Sequence, residues 1–328
     1  MDMLNWGILG TAHIAETQLI PALHAASNAR VVGVASRNRD KAQEYAKRNR
    51  ILHSYDSYEQ LLADPDIDAV YIPLPNGMHA YWTLQAARAG KHVLCEKPAA
   101  LNAAEMREMA TVCQENGVVF MEAFMYPFHP QWDRIEQLLA ENRIGDLKIV
   151  NASFSFTLKN TADIRWDPLM GGGALYDVGC YCVHVARNVA KGEPVTQVQA
   201  AAQFRADGMV DESLVGNLRF ANGMLAHFDC SFAAVERQFV EIVGSKGSVQ
   251  VLFPFRPDKG TPTLLIRDES GETRETLSSE VNMYTRQVEH FAECVWLKQT
   301  PRITLHDSIQ NLEIIDALYK AAGRKNKI

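Results

Sequence analysis

The chain has 328 residues, of which 47% are hydrophobic and 22% are charged, as expected for a soluble globular protein long enough for two domains. Its formal net charge of -6 gives no overall attraction to nucleic acid or to an anionic membrane. No basic cluster is interleaved with aromatic residues, so we expect no nucleic-acid partner and no membrane partner.

The amino-terminal segment and the cysteines indicate a reducing compartment. Residues 1–6 lead directly into a strand, without a positively charged and apolar leader, and no stretch is long enough to span a membrane. The six cysteines are scattered over predicted strands and helices, which favours free, mostly buried thiols over a disulfide framework. Cys180 and Cys182 lack a second ligand pair at suitable spacing, so we expect no metal site. These features predict a cytoplasmic protein.

The first predicted strand, Asn5–Leu9, is followed by a tight turn and a helix that ends near Ala26. The turn carries the spacing Gly-x-Ala-x-x-Ala, close to the Gly-x-Gly-x-x-Gly/Ala fingerprint that binds the pyrophosphate of a dinucleotide. Gly10 and Ala15 fit this fingerprint, whereas alanine replaces the glycine that lets backbone approach phosphate. The residues expected to contact the cofactor here are Gly10, Thr11, Ala12, His13 and Ile14.

The second predicted strand, Arg30–Ala35, ends without an acidic residue. An NAD-selective site would place Asp or Glu here to bind the ribose 2′-hydroxyl. The chain instead offers the Ser36 hydroxyl and the Arg37 guanidinium, which suit the 2′-phosphate of NADP because arginine binds phosphate in a bidentate manner. The alternative is that Arg37 and Arg39 are solvated loop residues. We expect NADP to be bound, with NAD the less favoured cofactor.

Helices and strands continue to alternate up to residue 122, which predicts a doubly wound parallel sheet of the Rossmann type. The predicted helices are Asp40–Arg48, Tyr58–Ala63, His79–Ala89 and Ala103–Asn116, and the predicted strands lie near Ile51-Leu52, at Ala69–Ile72, at His92–Leu94 and at Val118–Glu122.

Two loops at the carboxyl ends of these strands carry candidate cofactor residues. Glu96 and Lys97 follow a buried strand, where such folds bind ligands, and Pro98 stiffens the backbone and is a candidate for a cis bond. A surface Glu-Lys pair is the alternative. Asn76 and His79 are candidates to line the nicotinamide ribose, although good turn chemistry and an ordinary first helical turn also explain them.

The amino-acid composition changes at residue 124, which predicts domains at 1–123 and 124–328. An aromatic, proline-rich segment and a helix, Trp132–Asn142, precede strands with period-2 alternation, typical of an α+β domain with a largely antiparallel sheet. The predicted strands are Lys148–Leu158, Thr196–Phe204, Leu214–Phe220, Met224–Phe232, Val240–Val243 and Ser248–Leu252, and the closing helices are Tyr284–Leu297 and His306–Ala322.

A helix that opens with Gly171-Gly172-Gly173 is inserted between the first two of these strands. Glycines free backbone N–H groups for a ligand and let another backbone come close. Asp177, Tyr181 and His184 follow at i, i+4 and i+7, which places an acid, a phenol and an imidazole on one helical face. The alternative is a hydrogen-bonded polar seam with a purely structural role.

The motifs Glu96-Lys97-Pro98 and Gly171-Gly172-Gly173-x-x-x-Asp177-x-Gly179-x-Tyr181 together resemble the glucose–fructose oxidoreductase and inositol dehydrogenase (Gfo/Idh/MocA) family. The resemblance implies a Rossmann domain that holds a nicotinamide cofactor and an open-faced sheet that carries substrate and dimer contacts. It also implies that Lys97 and Asp177 are catalytic and that Tyr181 takes the acid–base position. The tyrosine variant looks like the branch of dimeric dihydrodiol dehydrogenases and NADP-dependent xylose dehydrogenases.

The chemistry of these residue types agrees with that reading. Free tyrosine has a pKa of about 10, too high for a base near neutral pH, and an adjacent ammonium lowers a phenol pKa by roughly one to three units. Lys97 is the candidate ammonium, with Asp177 orienting it or a substrate hydroxyl. Further cofactor contacts are expected from Glu96, Lys97 and Arg165. The residues expected to face the substrate are Phe124, Tyr126, Trp166, Asp177, Tyr181 and His184.

Three functions are compatible with the sequence. The first is an NADP(H)-dependent oxidoreductase acting on a secondary alcohol or ketone of a sugar, polyol or cyclic diol. The second is a 3-keto-reductase of a nucleotide-linked sugar, which would need a basic diphosphate site. The third is an NADP-binding sensor or regulator without turnover. We also expect a symmetric homodimer, because Asn151, Ser153, Ser155 and Thr157 form a flat face of small residues on one strand.

Overall fold

The computed structural model describes residues 3–278 and 280–325, so Met1 and Asp2 of the predicted entry into the first strand lie outside the described residues. Within those ranges, every helix is too short or too polar to cross a bilayer. The chain divides into two compact units. One comprises Met1–Met125 and Asn282–Gln310, and the other comprises Tyr126–Val281 and Asn311–Ile328.

Strands and helices alternate through the first 125 residues. In chain order they are β1 (Leu4–Leu9), α1 (Ile20–Ala25), β2 (Ala29–Ala35), α2 (Arg39–Arg48), β3 (His53–Tyr55), α3 (Tyr58–Ala63), β4 (Ala69–Ile72), α4 (Asn76–Arg88), β5 (His92–Cys95), α5 (Ala103–Glu115) and β6 (Phe120–Glu122). The strands form one parallel sheet in the order β3-β2-β1-β4-β5-β6. The predicted doubly wound parallel sheet is confirmed, and its order reverses between β1 and β4, where such sheets bind ligands.

The third strand lies two residues later than predicted. Ile51 is buried but Leu52 is 76% exposed, and pairing with β2 begins only where His53 meets Gly33. The apolar pair marks the turn that leads into the strand rather than the strand itself.

The remaining chain contains a second sheet and further helices. In chain order the elements are α6 (Pro130–Ala140), β7 (Leu147–Ser155), α7 (Cys180–Val189), β8 (Val195–Phe204), β9 (Asp211–Phe220), β10 (Leu225–Ser231), β11 (Arg237–Gly244), β12 (Ser248–Val251), β13 (Thr263–Asp268), β14 (Gly271–Thr276), α8 (Met283–Leu297) and α9 (Leu305–Ala321). The sheet order is β14-β13-β12-β11-β7-β10-β9-β8, and only the β7–β10 pair is parallel. The predicted, mostly antiparallel sheet is therefore confirmed.

Two strands of this sheet, β13 and β14, were not predicted. β13 is a largely apolar run, and β14 is polar throughout and exposed at the sheet edge, so neither shows the alternation that identifies a half-buried strand.

Helix α8 belongs to the first unit although the residues from Tyr126 to Val281, which belong to the second unit, precede it in the chain. The ring of Phe291 on α8 lies 4.9 Å from that of Trp6 on β1. Glu289 accepts hydrogen bonds from the backbone N–H of Ser27 at 2.9 Å and from its hydroxyl at 2.8 Å. These contacts fix the carboxyl end of α1 and the entry to β2.

The two faces of β7 differ in burial. Val150 and Ala152 are buried on the face that α7 covers. On the other face Ser153 and Ser155 are also buried, because the 235–237 segment bonds them: the Ser155 hydroxyl donates to the Val235 carbonyl, and Arg237 donates to the Ser153 hydroxyl. The flat strip of small residues is thus partly covered within one chain. All six cysteines are free and buried, as predicted.

Candidate active site

The turn after β1 has a backbone conformation that requires glycine at position 10. Gly10 has φ +100°, and its N–H donates to the Ala35 carbonyl at 2.8 Å. A Cβ at this position would lie 2.9 Å from the Leu74 side chain, so only glycine fits. The Tyr45 hydroxyl of α2 donates to the Ala12 carbonyl at 3.0 Å and holds the turn. The helix that follows is widened into a π-turn at Ala15–Leu19, a feature common near functional sites.

The residues of this turn remain open to a ligand. Thr11, Ala12 and Ile14 are partly exposed and His13 is exposed. The turn therefore keeps accessible backbone at the amino end of a helix, which fits the pyrophosphate contact predicted for it.

The carboxyl end of β2 carries Ser36 and Arg37, the residues predicted to bind the 2′-phosphate of NADP. Asn38 donates its N–H to the Ser36 hydroxyl at 3.2 Å, which places that hydroxyl beside the Arg37 backbone. Burial raises the pKa of the Tyr58 hydroxyl, and the Arg37 guanidinium, which hydrogen-bonds it, opposes that rise. Arg39 lies 3.8 Å from the exposed Asp56 carboxylate. Arg37 is therefore the better placed of the two arginines for an added anion.

Lys97 stands in a turn that its neighbours hold from both sides. The Glu96 carboxylate accepts hydrogen bonds from the Tyr71 hydroxyl at 2.5 Å and from the Lys97 N–H at 3.3 Å. Beyond Pro98, the Ala99 N–H donates to the Glu122 carboxylate at 2.9 Å. The Lys97–Pro98 peptide is cis, and the Lys97 side chain is partly exposed. The lysine thus lies on a backbone that two carboxylates fix.

His79 and Asn76 lie in the first turn of α4. The His79 ring is fully buried, with Nδ1 2.9 Å from the Pro98 carbonyl and Nε2 2.7 Å from the Leu74 carbonyl. Burial lowers the pKa of His79 to about 4, so the ring is neutral near pH 7 and donates to only one of the two oxygens. It ties the Leu74 loop to the Lys97 turn, and contact with a ribose, which stays a prediction, would require surface that the ring lacks here.

In the second unit, the three glycines allow close packing around the start of the motif helix, which comprises the π-turn Leu175–Gly179 and α7. The N–H groups of Gly172 and Gly173 donate to the carbonyls of Asp167 and Arg165, at 2.9 and 3.0 Å, instead of remaining for a ligand. A Cβ on Gly172 would lie 2.5 Å from the Arg165 carbonyl oxygen. Gly171 has φ +74° and ends the preceding 3-10 turn.

Asp211 supports the start of this helix and was missed by the sequence reasoning. Its carboxylate is fully buried and accepts hydrogen bonds from the Leu175 N–H at 2.7 Å and the Tyr319 hydroxyl at 2.8 Å. Burial raises the pKa of Asp211, and these two bonds oppose the rise. The Arg324 guanidinium lies 4.1 Å from the Tyr319 ring centroid. An acid at the first residue of a strand was the only signal in the sequence.

Asp177 is paired with Arg165. The Arg165 Nε donates to the Asp177 carboxylate at 2.8 Å, and a second nitrogen lies 3.3 Å from Asp163. The Asp177 carboxylate has the largest effect on Arg165 and raises its pKa, whereas burial has a smaller effect and lowers it. The guanidinium therefore stays charged. Arg165 was predicted to contact the cofactor, and here its guanidinium contacts the carboxylates of Asp177 and Asp163, both in its own unit.

Tyr181 is nearly buried within a group of aromatic rings. Its ring centroid lies 6.1 Å from Tyr126, 5.5 Å from Phe154 and 5.4 Å from Phe255. His184, one turn later on α7, has Nδ1 2.6 Å from the Tyr126 hydroxyl. The structure therefore joins Tyr181 and His184 through Tyr126, whereas Asp177 lies within the π-turn Leu175–Gly179 that precedes α7.

The other predicted substrate residues differ in exposure. Phe124 and Tyr126 are fully buried, so their contact with a substrate stays a prediction and requires exposure that they lack here. Trp166 is partly exposed. The Phe232 ring lies 5.2 Å from it, and the Arg205 guanidinium lies 4.5 Å from its ring centroid. Across residues 3–278 and 280–325, no group of three or more His, Cys, Asp or Glu side chains is arranged to hold a metal ion.

Comparison with known proteins covers nearly the whole chain. Residues 4–124 match the model of an oxidoreductase family with an NAD-binding Rossmann fold, and residues 132–250 match the GFO/IDH/MocA C-terminal domain. The chain is 39% identical over 320 residues to a D-xylose 1-dehydrogenase (NADP(+)) of Haloferax volcanii, with 97% of each chain covered.

Two further proteins are similar over the same length. A trans-1,2-dihydrobenzene-1,2-diol dehydrogenase of Sus scrofa is 32% identical, with 98% of this chain and 97% of the relative covered. The 3-ketoreductase KijD10 of Actinomadura kijaniata, solved with NADP and TDP-benzene, superposes with a TM-score of 0.90 at 30% identity, with 98% of each chain covered.

Proposed function

The chain belongs to the Gfo/Idh/MocA oxidoreductase family, and from that membership we propose an NADP(H)-dependent dehydrogenase or reductase. Its substrate would be a secondary alcohol or ketone of a sugar, polyol or cyclic diol. The observation that carries the proposal is the motif helix, which holds an Arg165-bound Asp177 and, one turn later, the phenol of Tyr181. D-xylose and dihydrobenzenediol are the substrates named for two relatives.

The residues divide the chemistry as follows. When bound, the nicotinamide accepts or donates the hydride. Tyr181 takes the hydroxyl proton during oxidation and returns it during reduction, because a secondary alcohol must lose that proton as hydride leaves its carbon. Lys97 favours the phenolate by its positive charge. Asp177, held by Arg165 at 2.8 Å, orients the lysine or a substrate hydroxyl.

A panel assay tests the activity. Purified protein with NADP+ should reduce the cofactor in the presence of at least one member of a set of aldoses, cyclitols and trans-diols, and with NADPH it should consume matching ketones. The absorbance of the reduced nicotinamide measures both directions. Binding of NADP(H) without turnover on any member of the panel would favour the sensor over the enzyme.

One observation favours a 3-keto-reductase of a nucleotide-linked sugar as the second candidate. The Arg205 guanidinium, 4.5 Å from the centroid of the Trp166 ring, forms no ion pair with any other described residue. An unneutralised guanidinium beside an aromatic ring suits a phosphate. KijD10, a 3-ketoreductase solved with TDP-benzene, is a relative of this kind. A nucleotide-linked 3-ketosugar belongs in the panel, and Arg205→Ala should impair only that substrate.

The cofactor preference is the first prediction. Arg37→Ala should weaken NADP+ binding and leave NAD+ binding unchanged, because one charge-assisted phosphate contact contributes on the order of 1.5–3 kcal/mol. Dissociation constants from fluorescence titration measure the effect. Arg39→Ala is the matched control, since Arg39 already faces Asp56 and should change the preference less. Equal affinity of the unmodified protein for NADP+ and NAD+ would contradict the prediction.

A homodimer through the second sheet is the next prediction. On the Ser153 face, Ile149, Val215 and Leu225 are 39%, 50% and 48% exposed, and Leu225 pairs directly with Ile149. A second sheet would bury these side chains. Light scattering at micromolar concentration should give a dimer mass, and Leu225→Arg should give a monomer. Leu52→Arg, at a 76% exposed site of the other unit, should leave the mass unchanged. A monomeric unmodified protein would refute the prediction.

A further inference from the structure

A buried hydrogen bond joins Tyr126 to His184. The Tyr126 hydroxyl lies 2.6 Å from His184 Nδ1, and the two residues are 0% and 5% exposed. Tyr126 lies in a 3-10 turn, Tyr126–Phe128, and His184 lies on α7. The bond therefore fastens the middle of α7 to a segment 58 residues earlier in the chain.

The same tyrosine packs against the proposed acid–base residue. The Tyr126 ring lies 6.1 Å from the Tyr181 ring and 5.5 Å from the His184 ring. The Trp132 ring lies 5.1 Å and the Phe255 ring 5.4 Å from the same tyrosine ring. Tyr126 is thus in contact with both Tyr181 and His184 on α7.

The rings alone do not fix a unique arrangement. Aromatic pairs tolerate several offset and tilted geometries of similar energy, so rings packed around Tyr181 can shift together. A buried polar pair has fewer alternatives, because a hydrogen bond depends on the distance and direction between its two atoms, and losing it in a desolvated site costs free energy. The bond between Tyr126 and His184 therefore selects one position of the Tyr126 ring. Since His184 is three residues after Tyr181, it also fixes the height of Tyr181 against that ring.

We propose that Tyr126 and His184 form a positioning pair that holds the Tyr181 ring in the orientation needed for proton transfer. The inference rests on the proposed function of Tyr181. Neither member of the pair transfers the proton. Both act through Tyr181, so their loss should lower kcat and leave NADP+ binding intact.

The two histidine nitrogens provide a sharp test. The side-chain amide of Asn reaches the position of Nδ1, whereas that of Gln reaches the position of Nε2. Because the bond uses Nδ1, His184→Asn should keep kcat within about threefold of the unmodified protein. His184→Gln and Tyr126→Phe should each lower kcat about 10-fold to 100-fold, which is the cost of a small misplacement of a reacting group. The double variant Tyr126→Phe/His184→Gln should be no slower than the slower single variant.

Two controls separate positioning from stability. Val189→Ala removes a buried side chain two turns along α7 and should lower the unfolding temperature without lowering kcat. In a pH titration, the ionisation of Tyr181 is the tyrosinate absorbance change that is lost in Tyr181→Phe. The midpoint pH of this change should shift in Tyr126→Phe and stay the same in Val189→Ala. This measurement needs no turnover.

The outcomes are distinct. Equal rates for His184→Asn and His184→Gln, or a normal kcat in Tyr126→Phe, would overturn the positioning pair while Tyr181→Phe remains inactive. Normal turnover in Tyr181→Phe would instead overturn the acid–base role proposed for Tyr181, on which the pair depends. An unmoved tyrosinate transition in Tyr126→Phe would overturn the pair even if no substrate had been found.

Discussion

Tyr181→Phe should lower turnover by about 10²–10⁴-fold, the range that general acid–base catalysis contributes. The substitution removes the hydroxyl and leaves the ring, so the contacts with Tyr126, Phe154 and Phe255 should persist. NADP+ affinity should therefore stay unchanged while kcat falls. Steady-state rates with the best substrate of the panel, together with a cofactor titration, measure the two effects separately.

Lys97→Met should cause a comparable loss, because the phenol would lack the cation that favours its ionised form. The double variant should be little slower than either single variant, since residues that act on one proton are non-additive. In the oxidative direction, the rate of the unmodified enzyme should rise with pH through an apparent pKa below that of free tyrosine. Near-normal turnover of Tyr181→Phe with an unchanged pH profile would move the role elsewhere. His184 would then be the next residue to test.

The first sheet was predictable because its signals are local. Buried parallel strands are continuous apolar runs, and β4 (Ala69–Ile72) and α3 (Tyr58–Ala63) have the predicted bounds. Polar edge strand β14 gave no such signal, because none of its side chains faces a core. The packing of α8 on β1 was not visible either. An amphipathic pattern shows that a helix buries one face, but not which sheet that face meets.

The sequence was sufficient to predict which residue types form the site, but not which residues they contact. A lysine after β5 and the Asp177–Tyr181 spacing are readable from sequence, since each lies in one short motif. The pairing of Asp177 with Arg165 and that of His184 with Tyr126 depend on how separate segments pack. The π-turn at Leu175–Gly179 also alters the face that simple 3.6-residue spacing implies. Periodicity alone assumes a regular helix.

The need for glycine at position 173 also could not be predicted from the sequence, because Asp211, the residue that requires it, lies 38 residues further along the chain. Gly173 has φ +130°, and a Cβ there would overlap Asp211 Oδ1, which accepts from the Tyr319 hydroxyl. The other oxygen of this carboxylate accepts from the Leu175 N–H. The sequence suggested that the glycines leave N–H groups free for a ligand. In the structure, Gly173 makes room for the buried acid that holds the start of the motif helix.

Gly173→Ala should therefore destabilise the second unit strongly. A left-handed backbone costs a non-glycine residue roughly 1–3 kcal/mol, and overpacking against Asp211 adds roughly 1–3 kcal/mol more. Gly192→Ala is the matched control, because Gly192 has φ +82° with open space around it and should show the backbone cost alone. The urea midpoints of the two variants measure the difference. Because the displaced Asp211 also releases the helix that carries Tyr181, kcat should fall in Gly173→Ala and not in Gly192→Ala. Equal midpoints would show that Asp211 moves away at no cost and that the close approach does not fix the helix.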